Sequence, residues 1–292
     1  MTLTLLTFNI LQLQLKGSRR RADAAFRTII RSDADVVVLN EAFNRTAHRL
    51  VVRLQGSGYQ CTPYLGGFGG EWTAVSGRRR GLRRFIGGGV YVLSRLPIEA
   101  QYQHLYRSVS RATTEAFSNK GVVLVKLRAD DGPLWVAGTH LHADERGNRH
   151  AERMAQLGEI RTVVAAVVPA GEPVVLAGDL NAEYYTCDAE GRPGAVGTDW
   201  IEASRAVGGP VAPQEVIHDF TFDGETNALV HRTTPGYRNV LDYVGYLRAS
   251  PPLSISTTTL CSQPGPQASD HFPVLATITT SGTSATGSHR LG

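Results

Sequence analysis

The sequence has few cysteines and no long hydrophobic run. Its three cysteines, Cys61, Cys187 and Cys261, are too few and too widely spaced for a disulfide framework or a zinc site. No apolar stretch reaches the roughly 18 residues that a membrane-spanning helix needs. The first residues lack the basic region and cleavage site of a signal peptide. We therefore expect a cytoplasmic protein if Met1 is the native start, and a secreted one if a leader was removed.

Lysine is also scarce, since only Lys16, Lys120 and Lys126 occur among the 30 basic residues. Two arginine-rich runs, at 19–21 and 78–84, are typical of solvated surface, and a site for phosphate or acidic lipid headgroups is the alternative. The net charge of +4 favours anionic partners only weakly. Without an evident groove of aromatic and basic residues, nucleic acid is the least favoured partner.

The composition is that of a globular protein with a substantial core. Of the 292 residues, 42% are hydrophobic and 19% are charged. No internal repeat or linker divides the chain. We expect a monomer with one domain over residues 1–280 and a flexible, small and polar tail over 281–292.

Short apolar runs alternate with amphipathic segments along the chain, which predicts an α/β fold of two packed sheets with helices outside. Helices are predicted after Ser18, after Asn44 and over 149–168. Long loops are predicted at 60–88 and 184–216. The predicted strands are 2–8, 35–39, 89–94, 98–105, 121–127, 134–139, 173–178, 219–222, 240–247, 253–260 and 273–279.

Polar clusters stand at the ends of five of these apolar runs. They are TFNI (Asn9), LNE (Asn40, Glu41), GTHLH (His140, His142), GDLN (Asp179, Asn181) and SDHFP (Asp270, His271). A fold that gathers these strand ends collects carboxylates, amides and histidines in one place. Such a set suits a hard divalent cation and a phosphate ester. The motifs of serine hydrolases and of P-loop proteins are absent from the sequence.

Glu41 is the natural metal ligand in this set. A carboxylate at the end of an apolar strand is costly to bury unless it is paired or coordinated. Asn9 offers a neutral oxygen to the same ion, and Asp270 is a third candidate. All-oxygen coordination selects Mg²⁺ over zinc, with Mn²⁺ or Ca²⁺ as substitutes.

His271 is the candidate general base. The neighbouring Asp270 diverges from it along a strand, so another carboxylate, such as Asp179, would have to orient the ring. His140 then becomes the candidate hydrogen-bond donor towards the leaving group or the phosphate. Strand alternation is expected to send only one of His140 and His142 inward.

In this order, the motifs resemble those of the endonuclease/exonuclease/phosphatase superfamily, which has the DNase I-like fold. Within it the chain is similar to bacterial neutral sphingomyelinases over residues 4–279. The segments that carry the resemblance are DVVVLNEAFN (35–44), YQCTP (59–63), GGGVYVLSRLPIE (87–99), SNKGVVLVKL (118–127), GTHLHADE (138–145), VVLAGDLNAE (174–183), LDYVGY (241–246) and SDHFPV (269–274).

The resemblance implies a four-layer sandwich of two mixed β-sheets flanked by helices. It implies a Mg²⁺-dependent phosphodiesterase that cleaves a phospholipid headgroup, such as sphingomyelin to ceramide and phosphocholine. The resemblance assigns metal binding to Glu41 and Asn9 and general base catalysis to His271, with Asp242 supporting the site. It places Asp179 and Asn181 beside the phosphate and the attacking water. It puts His140 near the leaving group and Lys120 in contact with the phosphate.

The chain departs from the secreted members of that family in three features. They carry an export signal, a disulfide near the active site and an aromatic membrane-inserting hairpin just before the SDH motif. Here, segments 106–119 and 141–152 contain no cysteine, and 257–266 lacks apolar bulk. A phosphodiesterase that acts on phospholipids through peripheral membrane contact therefore has two competitors. One is a phosphatase or phosphodiesterase acting on a small soluble metabolite, and the less favoured one is a nuclease.

Overall fold

Two six-stranded β-sheets stack face to face in a computed structural model of the chain, with helices on their outer sides. The structure describes residues 2–13, 18–67, 71–77, 86–110, 113–144, 147–206, 220–248, 253–261 and 267–280. The tail predicted from residue 281 onward lies outside the described residues. None of the helices within these ranges is long and apolar enough to cross a membrane.

Each large sheet mixes parallel and antiparallel pairs. The first contains β1 (Thr2–Gln12), β2 (Val36–Ala42), β3 (Gln60–Cys61), β5 (Tyr91–Ser94), β15 (Leu253–Thr259) and β16 (Val274–Thr280). The second contains β4 (Ala74–Gly77), β6 (Ile98–Leu105), β7 (Gly121–Ala129), β8 (Gly132–His140), β9 (Val174–Asp179) and β14 (Asp242–Arg248). Their orders are β15-β16-β1-β2-β5-β3 and β14-β9-β8-β7-β6-β4.

Shorter elements complete the fold. Two small two-stranded sheets are formed by β10 (Tyr185–Cys187) with β11 (Pro193–Val196), and by β12 (Phe222–Asp223) with β13 (Arg238–Asn239). The helices are α1 (Arg19–Ser32), α2 (Arg45–Gln55), α3 (His150–Val167), α4 (Thr198–Ala206), α5 (Ala228–His231) and a 3₁₀ helix at Thr114–Phe117.

The predicted helix starts are confirmed by their caps. The Ser18 hydroxyl accepts a hydrogen bond from the backbone N–H of Arg21, and the Asn44 side chain caps α2. The two predicted loops were wrong in part. The first contains β3 and β4, and the second contains β10, β11 and α4, whose burial of Trp200 and Ala203 is too short a pattern to show in sequence.

The strand runs are continuously apolar because both faces of each sheet are covered. In β2, Val36 and Val38 pack into the interface between the sheets, while Val37 and Leu39 pack beneath α1 and α2. The helices and the second sheet therefore bury alternate residues of the same strand.

The polar strand ends meet at one edge of the sandwich. Asn9 of β1 pairs in register with Asn40 of the parallel strand β2. In the second sheet, Asp179 of β9 lies opposite His140 of the parallel strand β8 and opposite Asp242 of the antiparallel strand β14. The register of the strands alone therefore brings these residues to the same edge.

Asn40 fastens the two sheets together at that edge. It is fully buried, its Nδ2 donates to the Thr139 carbonyl at 2.8 Å, and its Oδ1 accepts from the backbone N–H of Asp179 at 3.1 Å. Because Glu41 is the next residue, these bonds set the position of Glu41 relative to the strands that carry Asp179 and His140.

Replacing Asn40 with alanine is expected to lower the free energy of unfolding by about 2–4 kcal/mol. The substitution removes two buried hydrogen bonds between the sheets, each worth about 0.5–1.5 kcal/mol net, and leaves space where the amide was packed. Urea denaturation measures the loss, with Gln55→Ala on the exposed end of α2 as the control. A loss below about 1 kcal/mol would show that the sheets are held by packing alone.

Candidate active site

A buried histidine–carboxylate pair forms the base of the site. His271 Nδ1 lies 2.7 Å from Asp242 Oδ2, and Asp242 is fully buried. The pair puts Nε2 on the opposite side of the ring, where it lies 3.8 Å from Asp179 Oδ2. The sequence-based expectation that Asp179 orients this ring was wrong, because β14 delivers Asp242 to Nδ1 instead. Burial lowers the pKa of His271, but the charges of Asp242 and Asp179 outweigh it and raise that pKa well above 6.5.

Asp179 is the hub of the remaining contacts. Its Oδ2 accepts from Asn9 Nδ2 at 3.0 Å and lies 3.5 Å from His140 Nε2, while its Oδ1 accepts from the Asn181 backbone N–H at 2.9 Å. Burial raises the pKa of Asp179 to about 6, although the charge of His271 opposes that rise. His140 and Asn181, two of the residues expected near the phosphate, thus meet around one carboxylate.

Glu41 combines an unusual backbone conformation with an unpaired carboxylate oxygen. Its backbone is left-handed, with φ 54°, and its Oε2 is buried without a hydrogen-bond partner. Burial first, and then the charge of nearby Asp270, raise its pKa to about 7, while the charge of His271 opposes the rise. A left-handed backbone and a buried carboxylate oxygen without a partner are typical of functional sites. The oxygen-rich surroundings fit a hard divalent cation, with Asn9 and Asp270 as further donors.

The side chains of Asp179, Asp242 and His271 are a second group that could contact a cation. One ligand atom from each lies within 4.8 Å of the others. Each group holds a buried oxygen without a hydrogen-bond partner, Glu41 Oε2 in the first and Asp242 Oδ1 in the second. Glu41 is favoured as the principal ligand, because the second group already uses Asp242 Oδ2 to hold His271 Nδ1.

Lys120 lies beneath the other side of the site. Its ammonium group is almost fully buried, donates to the Leu141 carbonyl at 2.5 Å and pairs with Glu115 Oε1 at 2.7 Å. Burial alone would raise the pKa of Glu115, but the charge of Lys120 and the hydrogen bond from His142 lower it to about 2. Glu115, from the 3₁₀ helix, is a partner that the sequence-based assignment of Lys120 missed.

Replacing Glu115 with glutamine is expected to destabilise the fold most at neutral pH. The native pKa of Glu115 lies below its ordinary value of 4.5, so its stabilising contribution is complete above pH 4.5 and declines as the pH falls towards 2. The gap in unfolding free energy between wild type and Glu115→Gln should be about 2–4 kcal/mol at pH 7 and clearly smaller at pH 3. Urea titrations at both values measure it. A gap that widens in acid would contradict this coupling.

His140 and His142 are both buried, so the prediction that only one points inward was wrong. Strand β8 ends at His140, and strand alternation no longer applies to His142, which lies against Glu115 and Thr113. Burial, followed by the charge of Lys120, lowers the pKa of His140 well below 6.5. Its Nδ1 is buried without a partner. A neutral His140 ring therefore remains beside Asp179.

The nine side chains predicted for the site converge on this edge. Asn181, with φ 48°, and Lys120 both donate to the Leu141 carbonyl, which joins the second group to the first. Asn40 and Glu115 are the supporting residues that the sequence reasoning missed. Asn40 stood inside the LNE cluster, but no local signal shows that its partners come from the opposite sheet.

A sequence profile described as the Endonuclease/Exonuclease/phosphatase family matches residues 6–271, and the chain belongs to this family. Sphingomyelinase C from Listeria ivanovii is 34% identical over 176 residues, which cover 58% of this chain and 52% of that protein. Sphingomyelinase C from Leptospira interrogans is 27% identical over 294 residues, or 94% of this chain and 50% of that protein. The chain thus spans about half the length of these relatives.

Solved structures confirm the predicted DNase I-like sandwich. Sphingomyelinase C from Streptomyces griseocarneus superposes with a TM-score of 0.79 at 27% identity, covering 95% of this chain and 99% of that one. A Staphylococcus aureus beta toxin variant with bound magnesium ions has a TM-score of 0.81 at 24% identity, covering 94% and 99%. At that identity the second likeness establishes the fold alone.

Proposed function

We propose that this chain is a Mg²⁺-dependent phosphodiesterase of the sphingomyelinase C type, which splits a phospholipid headgroup from its lipid alcohol. The observation that carries the proposal is the His271–Asp242 pair, at 2.7 Å, on the same edge as the unpartnered Glu41 carboxylate oxygen. A general base and a cation ligand are the two requirements of metal-assisted phosphodiester hydrolysis. The similarity to sphingomyelinase C from several bacteria supports the substrate class.

In this proposal Glu41, Asn9 and Asp270 hold the Mg²⁺. When bound, the ion supplies positive charge that neutralises the phosphoryl oxygens and offsets the carboxylates around His271. The donor set fits it, since it consists of oxygen atoms and includes one buried oxygen that lacks any other partner.

The remaining residues move the proton and position the substrate. The water oxygen attacks phosphorus, His271 Nε2 takes the proton of that water, and Asp242 stabilises the resulting imidazolium through Nδ1. The bond from phosphorus to the lipid oxygen breaks, that oxygen takes up a proton from solvent and leaves as the alcohol, and His271 afterwards returns its proton to solvent. His140, neutral because of its lowered pKa, donates a hydrogen bond to that leaving oxygen.

In this proposal Lys120 and Asn181 contact the phosphate of the substrate. Both side chains donate to the Leu141 carbonyl, and the backbone N–H of Asn181 donates to Asp179 Oδ1. Lys120 supplies the positive charge of this pair and Asn181 a neutral amide. Arrangement of such donors around the phosphate lowers the barrier because their dipoles and charges are fixed before the reaction starts.

The test is release of phosphocholine from sphingomyelin in detergent micelles by the purified protein with Mg²⁺, followed by phosphorus NMR. Detergent micelles remove any need for docking to a bilayer. The matched samples are protein with EDTA and the His271→Ala variant, which should both be inactive. Phosphate release from soluble metabolites, with no turnover of any choline or ethanolamine phosphodiester, would support the metabolite alternative and reject the lipid substrate.

A further inference from the structure

One buried threonine binds the backbone on both sides of the His271–Asp242 pair. The Thr221 hydroxyl is fully buried and accepts hydrogen bonds from the backbone N–H groups of Leu241 at 2.9 Å and of Asp242 at 3.2 Å. The Thr221 carbonyl accepts from the backbone N–H of Phe272, the residue directly after His271, at 2.7 Å. Thr221 therefore fixes the start of β14 relative to the segment that carries the histidine.

A buried asparagine holds the residues on the other side of the histidine. Asn227 is fully buried, and its Nδ2 donates to the carbonyls of Ser269 at 3.0 Å and of Asp270 at 2.9 Å. Its Oδ1 accepts from the backbone N–H of Leu229 and so caps the short helix α5. Hydrogen bonds from segment 220–229 thus fix the backbone both before and after His271.

The histidine and its carboxylate partner come from different sheets. Asp242 is the first residue of β14 in the second large sheet, whereas His271 lies shortly before β16 of the first. Ladder hydrogen bonds run only between strands of the same sheet, so they do not set the separation of these two residues. Thr221 and Asn227 provide that connection, and Phe222 between them forms a β-bridge with His271.

We propose that Thr221 and Asn227 are positioning residues that hold the His271–Asp242 pair at its 2.7 Å separation before substrate binds. Both act through backbone hydrogen bonds to the segments that carry the pair. Catalytic geometry is sensitive to such support, because a displacement of about 1 Å can cost about 100-fold in rate. The inference rests on the proposed function, since it names the residues that set the geometry of the general base.

Thr221→Val tests this role, because it keeps the shape of the side chain and removes the acceptor of two buried N–H groups. We expect kcat for sphingomyelin in detergent micelles with Mg²⁺ to fall about 10- to 100-fold while KM stays close to the wild-type value. Thr221→Ser restores the hydroxyl and should recover most of the turnover. Asn227→Ala should lower kcat in the same way as Thr221→Val. Circular dichroism establishes that each variant is folded.

The matched control is Thr233→Val, the same substitution just after α5, where the hydroxyl donates to the Val230 carbonyl at 3.0 Å. It should keep wild-type turnover. A second readout does not need activity. Proton NMR in EDTA detects the hydrogen-bonded Nδ1 proton of His271 as a far-downfield signal that is absent from His271→Ala. This signal should shift or vanish in Thr221→Val and persist in Thr221→Ser and Thr233→Val.

An unchanged Nδ1 proton signal in folded Thr221→Val would overturn the inference, and so would wild-type turnover in that variant. If Thr221→Val does not fold, Asn227→Ala decides by the same two measurements. A wild type that hydrolyses no choline or ethanolamine phosphodiester, but whose Nδ1 signal is lost in Thr221→Val and kept in Thr233→Val, would reject the proposed reaction and retain the positioning role.

Discussion

Replacement of His271 by alanine should reduce the turnover number for phosphodiester hydrolysis by about 10²–10⁴-fold, the range typical of a lost general base. The reason is geometric, since Nε2 is the part of the ring that is directed away from Asp242 and towards Asp179. The Asp242→Asn variant should also lose most activity, because an amide at that position accepts a hydrogen bond less strongly and no longer stabilises the imidazolium. Steady-state kinetics with saturating Mg²⁺ measure both variants.

The control for this loss is His48→Ala on the exposed face of α2, which should retain wild-type turnover. Circular dichroism must show that each variant keeps its fold. Near-native turnover in folded His271→Ala would show that His271 is not the general base. If Asp242→Asn alone remained fully active, His271 would act without its carboxylate partner.

The Glu41→Gln variant should be more stable than wild type without metal and less stable than wild type with saturating Mg²⁺. In EDTA at pH 8 the variant should unfold at a higher temperature than wild type, because it no longer buries a carboxylate oxygen without a partner. Saturating Mg²⁺ should stabilise wild type by binding the native state, and it should stabilise the variant much less. We expect the variant to bind Mg²⁺ at least about 100-fold more weakly, since even outer-shell changes cost 10- to 100-fold.

Calorimetric titration of Mg²⁺ and thermal scans with and without EDTA separate these two effects. Glu190→Gln is the control, because Glu190 is an exposed partner of Arg192 on the surface, so neither measurement should change. Equal Mg²⁺ affinity in wild type and Glu41→Gln would assign the cation to the group formed by Asp179, Asp242 and His271 instead.

The elements with strong local signals were predictable from sequence. The strand at 98–105 and the helix starts after Ser18 and Asn44 are observed as predicted, because their apolar periods and caps are properties of adjacent residues. Strand β4 was not, since its short exposed segment becomes a strand only by pairing with β6. Pairing between distant segments leaves no pattern in either segment alone.

The sequence by itself determined the family resemblance and the set of chemical groups, because polar residues at the ends of apolar strands must gather wherever the strand ends meet. Only the tertiary structure decided their partners. It placed Asp242 rather than Asp179 on His271 Nδ1, buried both histidines of the GTHLH cluster, and set Glu115 against Lys120. These outcomes depend on strand register and on which loop covers which edge. Register is set by the packing of two whole sheets, whereas residue type is fixed locally.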